Sequence, residues 1–226
     1  MDNVLLDKYN QLKAYLKGLG VIAVAFSSGV DSTFLLFAAH EAMGEKAIAV
    51  TASSCLFPKR ELHEATEYCK KLGITHYTVE EDVFTIEGFD KNPPDRCYRC
   101  KYKLFESFLD LAKKHGIEFV VEGSNLDDTG DYRPGLKAIA ELGILSPLRK
   151  VGFTKSEIRQ LSEHFGIPTA KKASFACLAS RFPYGETISV EKLGMVDKAE
   201  QYLLDQGFKQ FRVRIHGAEV ARIEVL

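Results

Sequence analysis

The stretch Val21-Ile22-Ala23-Val24-Ala25-Phe26-Ser27-Ser28-Gly29-Val30-Asp31-Ser32-Thr33 limits the possible folds of this chain more than any other. Six successive apolar residues, β-branched ones among them, read as a strand buried on both faces, as in a parallel sheet. Two serines and a glycine follow, and Asp31-Ser32-Thr33 opens a second apolar run, Phe34 to Ala39. The order is strand, tight small-residue turn, helix N-terminus. A helix start leaves main-chain N–H groups unpaired and carries partial positive charge, so such a turn attracts an anion. On turn chemistry alone, an ordinary strand-to-helix turn capped by Asp31 or Ser32 accounts for these residues equally well.

The turn is not a Walker A loop: the G-x-x-x-x-G-K spacing is absent and it holds no lysine. It resembles the pyrophosphate loop, S-G-G-x-D-S, of the N-type ATP pyrophosphatases. That resemblance implies cleavage of ATP to AMP and pyrophosphate, with a substrate activated as its adenylate. Ser28 stands where the family pattern has its first glycine. If the position needs a positive φ, serine is strained there by roughly 1 kcal/mol.

The rest of the chain repeats the strand-helix order. Leu5, Leu6, Tyr9, Leu12, Leu16 and Leu19 follow helical spacing ahead of the first strand. Lys46 to Ala52 predicts a second buried strand, Pro58 to Leu72 a helix stopped by Gly73, and Ile74 to Val79 a third strand. Glu118 to Gly123 predicts a fourth strand, and Thr154 to Phe165 a helix with Thr154 and Glu157 forming a capping box. This alternation argues an α/β fold with a doubly wound parallel sheet. Ligands of such sheets bind at the carboxyl ends of strands, where Ser27 to Ser32, Thr51 to Ser53 and Gly123 to Asn125 would meet. From Thr187 the pattern changes to one helix, Val190 to Gln206, and two alternating strands, Gln210 to Ile215 and Glu219 to Leu226. We therefore expect a nucleotide domain over 1–186 and a small α+β domain over 187–226. The last residues read as the middle of a strand, so further sequence is expected beyond them.

Lys and Arg number 30 against 31 Asp and Glu, a balance that argues against a dedicated nucleic-acid binder. The charged N-terminus is unlike a signal peptide and no stretch approaches a membrane span, so a soluble, cytoplasmic protein is expected. Five cysteines do not make a secreted disulfide framework. Cys69 lies within a predicted helix and Cys55 just beyond the second strand, both read as small buried hydrophobes. Cys97 and Cys100 form a C-x-x-C after Pro93 and Pro94, flanked by Arg96, Arg99 and Lys101 that would stabilise thiolates. By itself the motif is open between zinc, iron–sulfur, a redox disulfide and accident. Cys177 lies in Ala173-Ser174-Phe175-Ala176-Cys177-Leu178-Ala179-Ser180-Arg181, followed by Pro183 and Gly185.

The pyrophosphate loop, Gly123-Ser124-Asn125-Leu126-Asp127-Asp128 with Asp131-Tyr132-Arg133-Pro134-Gly135, and Cys177-Leu178-Ala179-Ser180-Arg181 occur together and in this order. Together they resemble the LarE family, ATP-dependent sulfur transferases that help build the nickel-pincer nucleotide cofactor of lactate racemase. The likeness runs from Val21 to Leu226. It implies that a carboxylate of pyridinium-3,5-biscarboxylic acid mononucleotide is adenylated and that sulfur then displaces AMP, leaving a thiocarboxylate. ATP, with Mg2+, would sit among Ser27, Ser28, Gly29, Val30, Asp31, Ser32, Thr51, Ser53, Gly123, Asn125, Asp128 and Arg133. Ser180, Arg181, Arg212 and Arg214 would bind the substrate phosphate. Asp31 and Glu200 are the magnesium candidates, with Asp127 and Asp128 as further carboxylates. In one branch of the family the cysteine matching Cys177 surrenders its sulfur and becomes dehydroalanine. In another, it joins a C-x-x-C pair to hold a 4Fe-4S cluster whose open iron carries sulfide. Cys97, Cys100 and Cys177 match the cluster branch, with inorganic sulfide or another donor supplying the sulfur. The family also implies a homo-oligomer. A tRNA thiolase is the nearest alternative, and an ammonia-using synthetase has no use for three cysteines.

Overall fold

The structure, a computed structural model, describes residues 3–130, 134–217 and 220–225. Helix α1 (Asn3–Gly18) leads into strand β1 (Ile22–Ala25), helix α2 (Val30–Met43), strand β2 (Ala47–Ser53), helix α3 (Lys59–Leu72) and strand β3 (His76–Glu80). Helix α4 (Arg96–Lys114), strand β4 (Phe119–Val121), and helices α5 (Pro134–Glu141), α6 (Pro147–Val151) and α7 (Lys155–His164) follow. Helix α8 (Val190–Asp205) and the hairpin β5 (Phe211–His216) and β6 (Val220–Val225) close the chain. The four-stranded sheet has the order β3-β2-β1-β4 and every pairing is parallel. This is the expected α/β architecture, with a small antiparallel sheet at the C-terminus.

The unbroken apolar run of β1 follows from what lies on each side. Ile22 and Val24 enter a core shared with α1, α2 and α7, whereas Ala23 enters a core with α4 and α5. Both faces are dry, so neither parity can be polar. Leu5, Tyr9, Leu12 and Leu16 form the buried stripe of α1; each such side chain contributes about 1.5–3 kcal/mol. Gly73 ends α3 in the left-handed conformation, φ 67°, and Thr154 with Glu157 forms the capping box of α7, both as the sequence predicts. The alternative reading of Asp31 or Ser32 as the cap of α2 does not hold. Gly29 is the N-cap and carries no side-chain cap, while Ser32 and Thr33 turn their hydroxyls back onto its carbonyl.

A third apolar cluster lies under the cysteines and joins Leu56, Val83 and Phe89 to Leu178, Phe182, Ile188, Leu193 and Val196, with Cys100, Cys177 and Ile215 against it. Residues on both sides of position 187 thus share one core. Among the described residues no helix is long and apolar enough to cross a membrane.

Candidate active site

The carboxyl ends of β1, β2 and β4 meet as the fold class requires. At the end of β1, Ser27 and Ser32 hydroxyls lie 3.0 Å apart, and the Ser27 amide donates to Ser32 Oγ at 3.2 Å. Gly123 permits the closest approach: a Cβ there would lie 3.0 Å from the Ser32 nitrogen and 3.2 Å from the Asp31 carbonyl carbon. A side chain at 123 would press on the α2 backbone, which would have to give way to admit it. Ser28 does take a positive φ, 51°. Its strain is offset locally, because its hydroxyl is shared between the Glu61 carboxylate at 2.8 Å and the Glu61 carbonyl at 3.1 Å. Lys172 donates to the Ser28 carbonyl at 3.1 Å and to Glu61 and Glu64.

Asp31, one turn into this edge, accepts from Asn125 Nδ2 at 3.2 Å and pairs with Lys155. Asn125 receives the Asp127 amide at 2.9 Å, and its own amide donates to Asp128 at 2.9 Å. Lys155, the first residue of α7, is fixed through its amide to Asp127 at 2.8 Å. The capping box was legible in sequence; that it aims a lysine at Asp31 was not. Thr51 is turned inward, donating to the Phe26 carbonyl at 2.8 Å beside His76, so its hydroxyl ties β2 to the loop. Ser53 ends β2. Arg133 and Asp131 lie outside the described residues.

Cys97 and Cys100 occupy the first turns of α4, three apart and on one helical face. Arg96 holds this turn against the Cys177 loop. Its guanidinium donates to the Ala179 carbonyl at 2.9 Å and to Asn92, and lies 4.0 Å from the Cys97 sulfur. Asn92 in turn donates to the Pro183 carbonyl at 2.7 Å and adopts φ 50°. Burial pushes the Cys100 thiol up to about 12, with the neighbouring Cys177 and Cys97 adding to the rise and Arg96 opposing it. Burial also raises Cys177, again against Arg96. The three sulfurs thus share one neighbourhood. Among the described residues no three His, Cys, Asp or Glu side chains converge as a metal-binding group. In kind the donors suit iron: three soft sulfurs beside an apolar wall.

Ser180 connects the cysteine to the C-terminal hairpin. Its hydroxyl and amide donate to the Cys177 carbonyl at 2.8 and 3.0 Å, and its carbonyl accepts from Arg214 at 2.9 Å. Arg181 is 2% exposed and grips the fully buried Glu200, Nε to Oε1 at 2.6 Å; a second guanidinium nitrogen donates to Ser180 Oγ at 2.8 Å. Glu200 also accepts the Val213 amide at 3.0 Å. Arg181 and Glu200 therefore form a buried brace under the hairpin. Arg212 stays exposed, and Arg214 Nε donates to Glu224 at 3.0 Å. Hydrogen bonding from Arg214, then its charge and that of Arg222, holds the Glu224 carboxyl below its ordinary value.

No family model matches the chain. It is 36% identical over 222 residues to the pyridinium-3,5-bisthiocarboxylic acid mononucleotide synthase of Lactiplantibacillus plantarum, covering 98% of this chain and 80% of that protein. The chain belongs to the LarE family. An uncharacterized Synechocystis protein is 40% identical over 222 residues, with 98% of this chain and 82% of that protein covered. The tRNA-specific 2-thiouridylase of Pelotomaculum thermopropionicum is 30% identical over 67% of this chain and 53% of its own length. With GMP synthases also related, this LarE-family chain falls within the pyrophosphate-loop superfamily.

Proposed function

We propose that this chain is an ATP-dependent sulfurtransferase acting on a pyridinium biscarboxylic acid mononucleotide, in the formation of the nickel-pincer cofactor. A substrate carboxylate oxygen attacks the α-phosphorus of ATP and pyrophosphate leaves. A sulfur nucleophile then attacks the acyl carbon, and AMP departs with the carboxylate oxygen, leaving a thiocarboxylate. Asp31 is the residue proposed to approach Mg2+, since magnesium binds through one or two carboxylates plus phosphate oxygens. Lys155 neutralises Asp31 here and would face the departing pyrophosphate. Glu200, the other magnesium candidate, is engaged with Arg181.

The observation that carries this reading is the Ser180 bridge. It places Arg214, proposed with Arg212 to hold the substrate phosphate, one residue's hydrogen bonds from Cys177. The pyrophosphate loop and the named synthase relative supply the rest. Cys97, Cys100 and Cys177 are proposed to hold a 4Fe-4S cluster, which would supply an open iron for sulfide. The 1–186 and 187–226 division, a homo-oligomeric assembly and a cytoplasmic location belong to the same proposal.

The test is mass analysis of products from the biscarboxylic mononucleotide, ATP-magnesium and sulfide. Thiocarboxylate with one AMP and one pyrophosphate per sulfur supports it; ATP cleavage without sulfur incorporation overturns it. Intact-protein mass after turnover separates the sulfur sources. A Cys177 that has lost hydrogen sulfide would replace the cluster donor by a sacrificial one. Loss of iron on each of Cys97→Ser, Cys100→Ser and Cys177→Ser would support the cluster.

A further inference from the structure

The hairpin carries more positive charge than its two predicted arginines. In its register Arg212 lies opposite Glu224 and Arg214 opposite Arg222. Residues two apart on a strand, and residues paired across strands, point to the same face. One face therefore presents three guanidiniums and a single carboxylate. Arg222 donates to Glu224 Oε1 at 2.7 Å and Arg214 to the same oxygen at 3.0 Å. Among the described residues the Arg212 guanidinium has no hydrogen-bond or ion-pair partner. Two arginines placed directly opposite one another destabilise a strand pair, and one carboxylate cannot neutralise three cations. The face is left with a formal charge of two plus, which matches the dianion of a phosphate monoester.

We propose that Arg222 is the third arm of a phosphate-monoester site on this face, with Glu224 as the internal anion that holds Arg214 and Arg222 in position. The proposal rests on the reading of Arg212 and Arg214 as phosphate ligands and adds a residue that discriminates mononucleotide from nucleoside. Arg214 is fixed from below by the Ser180 carbonyl, so a phosphate held between Arg214 and Arg222 would be registered against the Cys177 loop. Arg222 can be tested without dismantling the fold, since its side chain is 55% exposed.

The experiment is equilibrium binding of nicotinate mononucleotide and of nicotinate riboside, which lacks the phosphate, to the full chain. Arg222→Ala should weaken the mononucleotide about tenfold, the scale of one charge-assisted contact, and leave the riboside unchanged. Arg222→Lys should recover part of that loss, because an ammonium keeps the charge but not the forked geometry. Equal weakening of both ligands in Arg222→Ala, or none, overturns the proposal. If Arg212→Ala and Arg214→Ala still weaken the mononucleotide, only the role of Arg222 falls. If neither does, the phosphate face itself is wrong.

Discussion

At the proposed nucleotide edge the polar groups come from main chain and short hydroxyls within a few residues of one another, and Gly29 and Gly123 leave the backbone uncovered. At the cysteine corner the work is done by long side chains arriving from distant elements: Arg96 from α4, Arg181 from the loop after Cys177, Glu200 from α8, Arg214 from β5. A site built from backbone tolerates little added volume and is indifferent to most side-chain changes. A site built from buried charges inverts this, because each charge is paid for by its partner. The two regions should therefore fail in different ways when changed.

The largest effect belongs to the cysteine corner. Glu200→Ala leaves Arg181 buried without its partner, a loss expected to cost about 3–5 kcal/mol, read from urea unfolding. The same change should disturb Ser180 and thus product formation. A loss under about 1 kcal/mol would mean that Arg181 escapes to solvent and that the brace is not structural. At the nucleotide edge the strongest change is steric. Gly123→Ala forces a methyl against the Ser32 amide and should destabilise by about 1–3 kcal/mol while abolishing pyrophosphate release. Gly29→Ala is the control for stability alone, since its Cβ would meet nothing closer than Ser27 Oγ at 3.4 Å, and as part of the proposed pyrophosphate loop it is still expected to lower pyrophosphate release. Similar loss of stability in both alanine variants would remove the contrast between the two glycines.

The difference between the regions also explains what could be read from sequence. The β1–α2 turn and the α7 capping box depend on neighbours in the chain, so their residues announced themselves. Arg181 and Glu200 were singled out only by resemblance, and nothing local to either discloses that they pair across 19 positions. Asn92 and Arg96 join α4 to residues 179–183 through contacts about 90 positions away, beyond any periodicity. The helix after Cys97 was missed because Pro93 and Pro94 drew attention to the loop before it; Phe105, Phe108 and Ala112 carry its buried face. Lys155 and Lys172 read as ordinary surface charges until their targets, Asp31 and the Ser28 carbonyl, are known.

Lys172 reaches Ser28 from the chain segment that leads to Cys177. It lies five residues before Cys177, and Arg159 anchors its segment by donating to the Lys172 carbonyl at 3.0 Å. Lys172→Met should leave the Ser28 carbonyl without its donor and the Glu61 and Glu64 carboxylates without their cation. We expect roughly a tenfold rise in the ATP requirement, the scale of one charged hydrogen bond, with a smaller effect on mononucleotide binding. Ser28→Gly should be smaller still, since relief of about 1 kcal/mol of backbone strain is offset by loss of a hydroxyl bond to Glu61. Equal losses for ATP and mononucleotide in Lys172→Met would show instead that the lysine serves the cysteine loop.

The smallest effect is a pH dependence confined to the nucleotide edge. Burial alone would raise the Glu157 carboxyl, but the hydrogen bond from Lys8 and those of the Thr154 cap outweigh it and hold the group below its ordinary value. A depressed carboxylate contributes stability that is complete above its unfolded value, near 4.5, and is lost as pH falls through the lower folded value. Protonation weakens the Lys8 pair, at 2.7 Å, and the cap that aims Lys155 at Asp31. The pair is partly exposed, so the effect should stay under about 1 kcal/mol. Glu157→Gln keeps a side-chain acceptor for the Thr154 amide but not the charge, so it should lower stability at pH 7 by that same amount, under about 1 kcal/mol, change little in acid, and thereby flatten the profile. Amide exchange at Lys155 should quicken in acid in the parent chain more than in Glu157→Gln. If the acid limb is unchanged by the substitution, the pH dependence arises elsewhere and α7 is held by packing alone.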